Sequence, residues 1–188
     1  LAARRGADAH MPVEPAPADS FSAAAGSVAS HVARGGHSLL AAMRGDDAES
    51  SAIERVLARA ARVEIAAVRV SAGRQAEASV VVHNSGTGHA FPGGTADLAD
   101  TWIEITLEDA SGRVALHSGA AHEATGADPS AHRLRVELID DHAEPVLMHD
   151  PARFRAVAHS HILAPRASRV VRYTFALPRD LSGHQLVA

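Results

Sequence analysis

Cysteine is absent from the 188 residues. That excludes disulfides, thiolate metal centres, a blue-copper site and thioether attachment of haem, while leaving the compartment open. Aromatic residues make up only 3% of the chain, so Trp102, Phe154, Tyr173 and Phe175 are each expected to carry structural weight. No apolar run approaches the ~20 residues a membrane-spanning helix requires. A basic excess is missing too: the formal net charge is -4, which argues against a nucleic-acid partner. There is no phosphate loop and no Gly-x-Ser-x-Gly nucleophile elbow. Asp140, Asp141 and Glu144 lie in a turn and read as solvated carboxylates, or at most a weak cation site. No catalytic activity is expected.

What is present suffices for a core, with 46% hydrophobic residues, much of it alanine. Residues 1–50 read as an extended arm: "PVEPAPADS" is Pro-rich and "SAAAGSVAS" small and permissive. Within it "HSLLAAMRG" predicts a short helical turn, capped by Ser38 and ended by Gly45. A helix is expected over 51–62, with Ser51 and Glu54 as a capping box and Ile53, Val56, Leu57 and Ala60 as one apolar stripe. From Val63 to the end the period changes from 3.6 to 2. About eight short strands with polar turns, among them Asp109–Gly112 and Asp140–His142, predict an antiparallel β-sandwich of immunoglobulin type over 63–188. Ile103, Ile105 and Leu107 fall on one face of their strand, as do Val171, Tyr173, Phe175 and Leu177 on theirs. The chain starts at Leu1 and ends on "HQLVA", which looks like the start of a further strand; both ends are expected to be trimmed, by processing or by lack of order.

Thirteen histidines supply the candidate chemistry. His159 and His161 lie two apart on a strand and so on one face. They are a possible copper or zinc pair to which His83 or His149 can add a third ligand; abundant histidine makes such a pair common by chance. The connection "NSGTGHAFPGG" is longer than a tight hairpin needs. Gly86, Gly88, Gly93 and Gly94 permit positive φ and close backbone approach, so this loop around His89 and Pro92 is expected to have a fixed shape.

The order of motifs carries a resemblance. "VVVHNSGTGHAFPGG…DTWIEITLEDASGRVALHSG", followed by "HRLRVELIDDHAEPVLMHDPARFRAVAHSHILAPRASRVVRYTFALP", resembles the β-sandwich at the C-terminal end of some bacterial multihaem c-type cytochromes, over roughly residues 63–178. "GADAHMP", Gly6 to Pro12, is similar to that family's terminal haem-attachment run with both cysteines lost. Gly6 and Ala9 stand at the cysteine positions and His10 at the proximal-ligand position. "SHVARGGHSLLAAMRGD", with His31 and His37, is similar to the stretch that often supplies a distal ligand. The resemblance implies an extracytoplasmic, haem-less descendant: a non-catalytic accessory subunit on a respiratory or photosynthetic electron-transfer complex, beside a cytochrome. His10 with His31 or His37 can alternatively hold a non-covalent haem, or His31 or His37 can reach a neighbouring cytochrome; the remaining reading is that all three are solvated or interface residues. His89 either bridges its loop to a sheet edge or points towards a partner's haem.

Overall fold

Hydrophobic alternation folds this chain into layered antiparallel sheets. The computed structural model describes residues 13–18, 25–30, 38–71, 74–122, 126–177 and 184–188. His10, His31 and His37 lie outside them. In the arm, β1 (Val13–Pro15) and β2 (Ser27–Ala29) pair antiparallel, so part of this segment is a small sheet rather than a free extension. The helix α1 (Ser38–Arg44) follows and stops at Gly45, whose φ of +64° is the left-handed conformation of a helix end.

The helix expected over 51–62 is α2, Asp47–Leu57. It starts one turn early because Asp46-Asp47-Ala48-Glu49 is itself a capping sequence. The Asp46 side chain accepts the Glu49 N–H at 2.9 Å, so Ser51 and Glu54 are interior residues. Its buried side chains are Ala52 and Ile53.

One sheet of the sandwich runs in the order β14 (Ser168–Ala176), β4 (Gln75–His83), β3 (Arg62–Ser71). Ala76, Ala78, Val80 and Val82 of β4 are buried on one face, with Val171, Tyr173 and Phe175 of β14 in register beside them. The facing layer has short strands with exchanged partners. β5 (Thr101–Ile103) pairs with β10 (His132–Leu134), whereas β6 (Ile105–Glu108) pairs with β7 (Val114–Ser118) and β15 (Gln185–Val187). β11 (Val136–Ile139) lies between β12 (Pro145–Val146) and β13 (Ala156–Ser160). β8 (Ala121–His122) and β9 (Gly126–Ala127) form a small hairpin. The expected single strands 101–109 and 132–140 are therefore each broken once, at Glu104 and Arg135, where the chain changes neighbour.

The core forms between the layers from Ala78, Val80, Val82 and Val171 on one side and Ile103, Ile105, Leu134 and Leu163 on the other. Ile103, Ile105 and Leu107 are all buried and Glu104 is exposed, as the alternation requires. The Trp102 indole N–H donates to the Gly119 carbonyl at 2.8 Å, which gives the chain's one tryptophan the expected structural role. Both turn predictions hold. The Asp109 carboxylate accepts from the N–H groups of Ser111 and Arg113, and Asp140 accepts from those of His142 and Glu144.

Candidate histidine sites

The loop 84–94 is organised by Asn84, which is fully buried. Its amide nitrogen donates to the carbonyls of His89, Leu163 and Ala164 at 2.8, 3.1 and 3.2 Å. Its side-chain oxygen accepts from the Thr87 hydroxyl at 2.5 Å. Phe91 and Leu163 add a reciprocal backbone pair at 2.8 Å in each direction, and the Phe91–Pro92 peptide is cis. His89 contributes its carbonyl to this arrangement, while its exposed imidazole lies 2.7 Å from the Ala90 carbonyl.

The glycines act differently from one another. A Cβ on Gly86 would stand 1.5 Å from the Arg59 carbonyl oxygen just past α2, and one on Gly93 would strike the His89 ring at 2.5 Å. Only Gly94 among these adopts positive φ, at +66°; Gly88 does not. Close approach, more than left-handed backbone, explains the glycine content.

His159 and His161 do meet, with ring centroids 5.7 Å apart and planes at 89°. Their third companion is His132, whose ring centroid lies 4.6 Å from that of His161, also edge-to-face. The two residues offered as a third ligand are engaged elsewhere. His83 Nδ1 is 2.6 Å from the Ser168 hydroxyl and its Nε2 is 3.3 Å from Glu64. His149 Nδ1 is held by the Asp97 carboxylate at 2.9 Å.

In "HRL" the period of two puts His132 on the face of buried Leu134, but its contact with His161 is long-range and no local spacing shows it. The Nε2 atoms of His132 and His161 are buried without a hydrogen-bond partner. Burial, then the charge of Arg169 and the neighbouring imidazoles, pushes His161 down to about 4. Burial and Arg169 also lower His132, and burial raises the Tyr173 phenol to about 12. Arg169 stands on the core face of β14, in register with Val82. His132 and His161 are thus imidazoles held towards the neutral form beside a cation. That environment disfavours a bound metal cation, and among the described residues no three His, Asp or Glu side chains are arranged to hold one.

The Asp97–His149 pair is a second feature that sequence spacing did not reveal. Asp97 is nearly buried, and Met148 and His149 both have positive φ, 59° and 50°. The bond joins the loop before β5 to the loop after β12 and fixes the imidazole from its Nδ1 side.

The sequence matches no protein-family model and no curated protein. In structure the chain is similar to the penta-haem cytochrome c552 of Thermochromatium tepidum, seen in its crystal structure, with a TM-score of 0.59 and 22% identity. Over the matched part the chain shares that cytochrome's fold. The match covers 95% of this chain, so the likeness extends beyond the stretch 63–178 that carried the sequence resemblance. The chain spans 36% of that cytochrome's length, and at this identity the likeness is one of fold.

Proposed function

We propose that this protein is a non-catalytic, extracytoplasmic accessory subunit. It docks on a membrane-bound respiratory or photosynthetic electron-transfer complex, next to a cytochrome subunit. One combination supports the reading: a fold shared with a penta-haem cytochrome over 95% of the chain, in a sequence without cysteine. A c-type haem is bound by two thioethers, so the donor set rules out covalent haem. What remains is a sandwich without covalent haem, preceded by an arm suited to lying over a partner.

Non-covalent haem held by His10 with His31 or His37 is the competing reading, as is a copper or zinc site at His159 and His161. Arg169 beside the latter counts against a cation there. The deciding experiment is purification of the native chain with its partners under mild detergent, followed by mass spectrometry and an absorption spectrum. Co-purification with a cytochrome, the separated chain being colourless, supports the accessory role. A free monomer that crosslinks to nothing defeats it, and a Soret band lost on His10→Ala replaces it with the haem reading.

A further inference from the structure

The two edges of the sheet β14–β4–β3 are built differently. β14 carries Arg169 on its core face and Arg172 on the other, and inward charge is how sheet edges discourage pairing. β3 has no such guard. Its outer edge has no strand partner among the described residues, and its core-facing side chains are apolar. Val63, Ile65, Val68 and Val70 lie in register with Val82, Val80, Ala78 and Ala76, the buried face of β4. Yet Val63, Val68 and Val70 are 39%, 50% and 62% exposed, because the facing layer does not extend over this edge.

β3 is also complementary to itself. Antiparallel pairing with a second copy, about a two-fold axis between Ala66 and Ala67, sets Val63 opposite Val70 and Ile65 opposite Val68. It also sets Glu64 opposite Arg69, so the two charges that face each other are of opposite sign. Directly opposed residues must point to the same face, and in an unbroken strand positions 65 and 68 point to opposite faces. The β-bulge between Ile65 and Ala67 supplies the offset. It puts Val63, Ile65, Val68 and Val70 together on the core face and Glu64 and Arg69 together on the other. Arg69 has no ion-pair partner among the described residues, whereas Glu64 faces Arg62 and His83.

We propose that β3 is a homodimer interface, pairing edge to edge with a second copy of this chain in the Val63–Val70, Glu64–Arg69 register. Two short ladders flank the bulged centre, the two open core faces join, and the three-stranded sheet becomes six-stranded across the two-fold axis. A contact of one strand pair falls in the small-interface class, so association is reversible and concentration-dependent. This inference stands apart from the electron-transfer reading and from any haem.

Sedimentation of the 188-residue chain across the micromolar range is expected to give a monomer–dimer equilibrium. R69E, which sets Glu64 against a second acid twice per dimer, is expected to weaken it at least tenfold. E64R is expected to do the same, and the double swap E64R/R69E to restore it; circular dichroism checks that each variant is folded. The cysteine-free background allows a test of register. A mixture of V63C and V70C chains should form interchain disulfides far faster than either alone, since like positions lie about 23 Å apart along the strands. A wild type that stays monomeric at several hundred micromolar overturns the proposal. So does R69E dimerising as tightly as wild type, or V63C crosslinking to itself as readily as to V70C.

Discussion

A buried amide whose nitrogen serves three carbonyls has no apolar substitute. Asn84→Ala leaves the carbonyls of His89, Leu163 and Ala164 without this donor and opens a space beside Leu163. The expected cost is roughly 2–3 kcal/mol, measured by denaturant unfolding. Asn84→Asp keeps the acceptor for Thr87 but loses the donors, and is expected to be nearly as destabilising; a near-neutral Asp variant would show that the donors matter little. Histidine titration gives the second expectation at this scale. His161 is held down to about 4 in the folded chain, by burial first and Arg169 second, and returns to its ordinary value near 6.5 on unfolding. Between those values the unfolded chain binds a proton that the folded chain refuses. Stability is therefore full above about pH 6.5 and falls as the pH drops towards 4. Unfolding midpoints measured from pH 7.5 to 4.5 should decline, and less steeply in His161→Gln. In Arg169→Gln the His132 and His161 resonances should titrate at higher pH; an unchanged titration would remove Arg169 from the account.

Elements were legible where periodicity alone decides them. "TWIEITLED" displays its buried face in the spacing of Ile103, Ile105 and Leu107, and all three are buried. What periodicity cannot express is a change of neighbour, so the breaks at Glu104 and Arg135 passed unread. The start of α2 was misplaced by one turn because two capping patterns overlap, and the earlier one, with Asp46 bonded to the Glu49 N–H, prevails. His132 and Asp97 escaped for a related reason. Each meets its partner across strands or loops distant in sequence, and no local spacing encodes that. The loop glycines illustrate a finer limit: a sequence shows that Gly86 and Gly88 can both be permissive, but not which one touches a helix end. Gly86→Ala would drive its Cβ to 1.5 Å from the Arg59 carbonyl. Separating the loop from the end of α2 is expected to cost upwards of 2 kcal/mol, in the range of an overpacked core. Gly88→Ala, with no positive φ to relieve, is expected to change the thermal midpoint little. Equal effects of the two substitutions would mean that the seam between loop and α2 is not tight.

At the scale of the whole molecule, fold class was readable because a strand period sustained over most of the chain admits few architectures. The likeness to a multihaem-cytochrome sandwich was readable because motif order can be matched even where no haem-attaching cysteine is present. Function is less so, since the residues a haem protein needs are few and their loss leaves the scaffold standing. The proposed history makes a specific demand on the N-terminal segment. If Gly6-Ala7-Asp8-Ala9-His10 is an attachment run that has lost its cysteines, restoring them should restore more than attachment. Gly6→Cys with Ala9→Cys recreates the Cys-x-x-Cys-His spacing of c-type haem attachment. Made in a periplasm with a haem-maturation system, this variant is expected to carry one covalent haem, read by its pyridine haemochrome band. Attachment alone is a weak test, because the motif is short and recognised in many contexts. The discriminating readout is the sixth ligand. A low-spin, six-coordinate spectrum that becomes high-spin on His31→Ala or His37→Ala would mean the surrounding segment still positions a distal histidine. A high-spin haem indifferent to both substitutions would mean that "GADAHMP" matches the attachment run by chance, leaving the sandwich as the part of the chain that carries the resemblance.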